Sequence, residues 1–289
     1  MAKEKSIIGD EVNFRDARLQ LLFSYYKAAT KQLVTTLNSV SDFSRTRNIQ
    51  TLKQIDTILE KLDDKTSDWF KKEVELYYKE FGKDTAEALA KDGFPVSLSF
   101  GRVDEQAIAS LSDEVMAYYR EAYSGAKRAA MKMLNEAARD QVQELLAVGR
   151  ITGEARQKIA NRIAGYLKEG FVALVDRGGR KWSLEAYANM LTRTMLVKTA
   201  NEGTSARLRA FGEDLVQVSK HFGACPLCDP WGGEILTLTG KHPKYKSVDD
   251  ARENGLFHPN CRHRLLPYHE KLAEVSAIWN PELQHYINL

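Results

Sequence analysis

His221-Phe-Gly-Ala-Cys225-Pro-Leu-Cys228-Asp-Pro-Trp-Gly-Gly233, answered by Phe257-His258-Pro-Asn-Cys261-Arg-His263, is the stretch on which the reading of this 289-residue chain turns. All three cysteines and all six histidines lie from His221 onward, and every proline except Pro95 lies beyond residue 220. A Cys-x-x-Cys turn lets two thiolates converge on one ion at about 2.3 Å, the zinc–sulfur distance. His258-x-x-Cys261 forms a second pair in the same way, with His263 as a rival ligand. The intervening residues 229–257 are long enough for a hairpin or short helix that brings the pairs together. Four ligands drawn from Cys225, Cys228, His258, Cys261 and His263 would fill a tetrahedral site with no open position, the arrangement of a structural Zn2+. Three cysteines cannot close a disulfide framework, and Pro226 and Asp229-Pro230 favour a turn over the strand-to-helix setting of a redox pair. A Pro- and Gly-rich tail of this size buries little apolar surface alone, so a bound metal would dominate its stability.

Outward from that segment the sequence reads as helix. Leu19, Leu22, Tyr26, Ala29, Leu33 and Leu37 recur at three- and four-residue spacing, as do Leu52, Ile55, Leu59 and Leu62, then Phe70, Val74, Tyr77 and Phe81. Such stripes are the core-facing sides of a helical bundle. Asp63-Asp64, between the second and third stripes, suits a helix start. Gly93-Phe94-Pro95 breaks the pattern, and Val96 to Phe100 alternates like a strand or extended linker. Helical spacing resumes at Ile108, Leu111, Val115, Tyr118 and Ala122 and stops at Gly149. Further helices are expected from about Glu154 to Lys168 and, with Ser183 as N-cap, to about Ala200, with a Gly178-Gly179 turn between them. The fold class is therefore mainly α: a long-helix N-terminal region followed by a small α+β zinc-stapled C-terminal module. The expected divisions are a helical docking region (1–93), connecting long helices (103–150) and the metal-bearing part (151–289), with its Cys/His site within 221–269.

Composition excludes several classes. With 43% hydrophobic and 28% charged residues the chain is neither disordered nor fibrous, and a net charge of +3 argues for no partner alone. No apolar run approaches the roughly 18 residues of a membrane span, and no signal-peptide segment follows the first residues. Between Thr152 and Ala210, however, Lys and Arg outnumber Asp and Glu by eleven to five. Arg177, Arg180 and Lys181 are the candidate contacts to DNA phosphate there; the competing reading is a solvated helix face. His258, Asn260 and His263 spell H-N-H, but the three letters of an HNH nuclease come from separate parts of a larger unit. Asn260 after Pro259 reads as a turn residue. No carboxylate pair, phosphate loop or Ser/His/Asp spacing stands out elsewhere, so no enzyme is expected.

His258-Pro-Asn-Cys-Arg-His263, preceded by Cys225-Pro-Leu-Cys228-Asp-Pro-x-Gly, resembles the C-terminal signature of bacteriophage minor capsid proteins, the minor capsid protein 2 family related to Mu-type head-morphogenesis proteins. Val175-Asp-Arg-Gly-Gly-Arg-Lys-Trp182-Ser-Leu-Glu-Ala-Tyr187 and Arg193-Thr194 fit the same pattern, so the resemblance spans about residues 150–270. It implies a virion component present in few copies, associated with portal or head interior and acting in head assembly or genome packaging and delivery. The partners it implies are the portal or major capsid protein and packaged DNA, without a membrane or a small-molecule substrate. The alternatives are a metal-dependent HNH-like nuclease and a zinc-containing DNA-binding adaptor.

Overall fold

The computed structural model describes residues 7–40, 43–91, 93–94, 99–148, 153–168, 172–176, 179–220, 224–270, 277–280 and 285–288. Five helices lead the chain: α1 (Ile7–Asn38), α2 (Arg45–Lys91), α3 (Arg102–Val148), α4 (Gly153–Lys168) and, after a hairpin of β1 (Val172–Val175) and β2 (Lys181–Ser183), α5 (Leu184–Ala210). β3 (Leu215–Val218), β4 (Ile235–Thr237), α6 (Val248–Glu253), β5 (Leu265–Pro267), β6 (Ala277–Asn280) and β7 (His285–Asn288) follow. The architecture is mainly helical, as the periodicity predicts. No helix among the described residues is long and apolar enough to cross a membrane.

The chain divides into two compact units, Met1–Phe70 with Asp113–Met190, and Lys71–Ser112 with Leu191–Leu289. These do not coincide with the regions 1–93, 103–150 and 151–289. The physical reason is helix length: α2, α3 and α5 each run from one unit into the other.

In the first unit the α1 stripe is buried throughout, from Leu19 to Leu37. Asp63-Asp64 starts no helix, since α2 continues unbroken through it. Thr66, fully buried, stands four residues after Leu62 and four before Phe70, so it joins the two stripes into one. Asp63 instead takes an ion pair from Arg120 of α3 at 3.3 Å. In the α3 stripe Leu111, Val115 and Ala122 are buried as the spacing predicts, but Tyr118 is exposed and Tyr119 is buried in its place. Three hydroxyls close a triangle inside the unit, Tyr26 to Tyr123 at 2.6 Å, Tyr26 to Thr66 at 3.2 Å and Tyr123 donating to Thr66 at 3.0 Å. Burial holds the phenols of Tyr26 and Tyr123 protonated, their pKa values raised far above neutrality. Tyr26→Phe leaves Tyr123 and Thr66 still bonded to each other, so a loss of about 1 kcal/mol is expected. Tyr26→Ala also opens a cavity and is expected to cost about 3–5 kcal/mol in denaturant unfolding.

The second unit holds the sheet β4-β3-β5, antiparallel throughout, with β3 at its centre. Val216 faces Leu236 on one side and Pro267 on the other. One apolar cluster gathers Leu89 of α2, Leu208 of α5, Val216, Val218, Leu236 and Leu265 of the sheet, Val248 and Ala251 of α6, and the side chains of Cys228 and Cys261. The sheet is tied to α5 by the Leu265 amide, which donates to the Asn201 side chain at 2.9 Å. β6 and β7 pair antiparallel, with Ala277 opposite Asn288.

Candidate metal centre

Two tight turns build the site. In the first, the amides of Cys228 and Asp229 both donate to the Cys225 carbonyl, at 3.0 and 2.9 Å, and a single 3-10 turn (Asp229–Trp231) follows. Pro226 and Pro230 lack amide hydrogens and carry the chain around without breaking these bonds. In the second, the Cys261 amide donates to the His258 carbonyl at 2.9 Å. Phe257, just before it, and Asn260, within it, have positive φ of 60° and 67°, the left-handed region that Asn tolerates better than most side chains. The Asn260 amide is fixed on α5 by the Thr194 hydroxyl at 3.1 Å. Asn260 is thus a turn residue, as its place after Pro259 predicts. The connection from Cys228 to His258 contains both a strand, β4, and a short helix, α6.

All five candidate ligands come together. The donor atoms of Cys225, Cys228 and His258 lie within 4.8 Å of one another, and so do those of Cys228, Cys261 and His263. Cys228 belongs to both triads. Cys225 Sγ is 3.0 Å from His258 Nε2, Cys228 Sγ 3.5 Å from Cys261 Sγ, and Cys261 Sγ 3.5 Å from His263 Nδ1. Donors on a tetrahedral zinc stand roughly 3.4–3.8 Å apart; the Cys228–Cys261 and Cys261–His263 spacings fall in that range, and the Cys225–His258 spacing is shorter. His258 Nδ1 lies 2.8 Å from the Pro259 carbonyl. A proton held there leaves the Nε2 lone pair facing Cys225, the tautomer a metal-binding imidazole needs.

The thiols differ in their surroundings. The backbone amides of Cys228 and Leu227 and the His258 ring stabilise a Cys225 thiolate, lowering its pKa to about 7, while burial pushes the Cys228 thiol up. Cys228 and Cys261 are buried and Cys225 is half-exposed. In metal-free protein at neutral pH, iodoacetamide should therefore modify Cys225 well before the other two, as read by peptide mass mapping.

The candidate phosphate contacts fare differently. Arg177 lies outside the described residues, as does His221. Asp176 accepts from the indole of Trp182 at 3.1 Å and from the amide and Nε of Arg180 at 2.9 and 2.8 Å, which holds its carboxyl down at about 2. Arg180 therefore carries its own counter-charge, and Lys181 is the exposed cation on β2. Elsewhere in the basic stretch Arg162 pairs with Asp140, and Arg207 is buried, donating to the Ser99 carbonyl at 3.1 Å with its guanidinium over the Phe100 ring. Counter-charged and buried arginines weaken the case for a continuous phosphate-binding face.

Against this geometry stand the relatives. The model of a family described as phage minor capsid protein 2 matches residues 27–287. The chain belongs to that family. A "Structural protein" of Lactococcus phage LL-H is 23% identical to this minor capsid protein over 300 residues, covering 96% of this chain and 77% of the relative. No solved structure matches. The family match takes in the helical first half from residue 27 onward, where sequence reading alone found no resemblance. The sequence gives no sign of the roles of Thr194, quoted above only as part of the resemblance, and Asn201, the two α5 side chains that hold the second turn and β5 in place. Both are small polar residues inside a helical pattern, and only their partners mark them.

Proposed function

We propose that this minor capsid protein sits at the portal or on the head interior, in few copies, and acts in head assembly or genome delivery without a catalytic step. We infer further that one structural zinc closes its sheet module, held by Cys225, Cys228, His258 and Cys261, with His263 packed beside Cys261. The observation that carries this reading is the convergence of two Cys/His turns on Cys228, inside the apolar cluster of the second unit. The donor set fits the ion: thiols and an imidazole with its second nitrogen engaged are zinc's preferred partners. When bound, zinc supplies a fixed crosslink between segments 33 residues apart in sequence, Cys225 to His258 and Cys228 to Cys261. The helical first unit then serves as the docking part.

Two measurements test the proposal. Metal analysis of freshly purified protein should give one zinc per chain; substantially less overturns the staple. Quantitative mass spectrometry of purified virions should find the chain at few copies per particle, and its absence overturns the assembly role. A cryo-electron map of the intact head then reads whether it contacts portal or shell.

A further inference from the structure

The segment 239–246, Thr-Gly-Lys-His-Pro-Lys-Tyr-Lys, carries three lysines and no acidic residue. It joins β4 to α6, and both of its ends are tied. The Asp214 carboxylate accepts from the Thr239 amide at 2.8 Å and hydroxyl at 3.0 Å, and from the Thr237 hydroxyl. The Thr237 amide donates to the Lys246 carbonyl at 2.9 Å. At the far end a reciprocal capping box of Ser247 and Asp250 opens α6, and Gly240, at φ 71°, makes the left-handed turn between.

On this frame flat rings and ammonium groups share one surface. The His242 ring stacks on Tyr245, with centroids 4.9 Å apart and planes at 28°. Lys244 Nζ stands 4.8 Å from the Tyr245 centroid, and Lys246 Nζ stands 5.4 Å from that of Trp231. Between Trp231 and Tyr245 lies a cavity of about 260 Å³, lined also by Ile235, Lys244 and Lys246. Glu270 accepts from the Tyr245 hydroxyl at 3.0 Å and draws Lys244 to 3.8 Å, and Glu234 lies on the cavity wall. Lys244 is thus partly countered, which leaves Lys241 and Lys246 as the main cations of the surface.

Lysines along a strand neutralise phosphates, and aromatic faces stack on bases that are not already paired. An acidic peptide would use the lysines but not the two rings. A neutral glycan would use the rings but not the lysines. We propose that this loop and Trp231 form a binding site for single-stranded nucleic acid, with phosphates along Lys241, Lys244 and Lys246 and one base in the cavity against Trp231 and Tyr245. The inference goes beyond the assembly role and stands apart from the zinc staple, since zinc content and virion content are measured separately from binding.

The test is fluorescence anisotropy with full-length protein and a labelled oligothymidylate of about 20 nucleotides, across a salt series. Binding should weaken with salt. Neutralising Lys241, Lys244 and Lys246 together to Gln should reduce the log–log salt slope by about 2 and the affinity at least tenfold. Tyr245→Ala should weaken oligothymidylate about tenfold while leaving an abasic strand of the same length unaffected. Tyr245→Leu, which keeps apolar bulk, serves if the alanine variant folds poorly, and melting curves check each variant. Undiminished binding by the triple variant overturns the proposal. So does wild-type protein that binds polyglutamate or the abasic strand as tightly as oligothymidylate, which would assign the surface to an acidic protein partner.

Discussion

Stripping the ion from zinc-loaded protein with a chelator is expected to lower its melting temperature by about 10–20 °C, the shift that a loss of about 5 kcal/mol produces in a unit of 150–250 residues. Isolated zinc-finger peptides lose about 10–16 kcal/mol. The smaller figure follows from where the sulfurs sit. Cys228 and Cys261 belong to the same apolar cluster as Val216, Leu236, Leu256 and Leu265. Once the ion leaves, burial favours the protonated thiol at Cys228, and a protonated cysteine packs as a small hydrophobe. The sheet therefore keeps part of its core while losing the crosslink between its two turns. Variants sharpen the expectation. Cys228→Ala removes the donor common to both triads, so zinc content should fall close to zero. His258→Ala should also lose the ion. His263→Gln should keep it, because Cys225, Cys228, His258 and Cys261 remain. Melting that ignores the chelator, or zinc lost from the His263 variant and kept in the His258 variant, would reject this ligand assignment.

The contrast between what the residues announce and what they conceal has physical causes. The Cys/His cluster is legible because metal chemistry accepts few residue types, and its geometry forces short spacings. The α1 stripe is legible because a helix buried along one face repeats its apolar residues with the helical period. The change in composition near residue 220 is equally plain, yet it is a boundary of residue type and not of packing. The cluster that holds Cys228 and Cys261 draws Leu89 from α2 and Leu208 from α5, far upstream of the first cysteine. Helix α5 shows why this is hidden. Its first half buries an apolar stripe of Leu184, Ala188, Leu191 and Met195, but past Leu196 the buried surface is largely polar, with Thr199, Asn201, Thr204, Ser205 and Arg207, so the stripe fades where the helix meets this cluster. Hydrophobic patterning fails where hydrogen bonding satisfies the buried groups. Thr199 bonds back to the Met195 carbonyl, Asn201 receives the Leu265 amide, and Arg207 reaches the Ser99 carbonyl. Arg207, one of the eleven cations between Thr152 and Ala210, is hidden in the same way: its charge gives no sign that it is buried. Tyr118 and Tyr119 show a milder limit: adjacent residues of one type leave the phase of a helix undecided by 100°.

Gly203→Val is expected to prevent folding of the second unit, and Gly203→Ala to destabilise it by about 1–3 kcal/mol. A methyl group at Gly203 of α5 would stand 3.1 Å from the Tyr78 carbonyl carbon and 3.2 Å from its Cα, and nearer still to the carbonyl oxygen. These are backbone atoms of α2, so no rotamer change relieves the contact; one helix must move. At Gly82, one turn further along α2, a methyl group would stand 3.4 Å from the Gly203 carbonyl oxygen and 3.1 Å from the Phe100 ring. Two small residues thus let the helices approach backbone to backbone, and the cost of glycine in a helix is offset by the contact area gained. A second glycine provides the control. Gly165 in α4 is exposed, and a methyl group added there would meet nothing within 4 Å beyond its own helix turn. There alanine only removes backbone freedom from the unfolded chain, so Gly165→Ala should stabilise by about 0.5–1 kcal/mol. The same substitution in two helices is therefore expected to act with opposite sign, read by denaturant midpoints of the two variants beside the parent. Equal effects at both positions would mean that helix propensity decides the outcome, and that the close approach of α2 and α5 does not constrain Gly203.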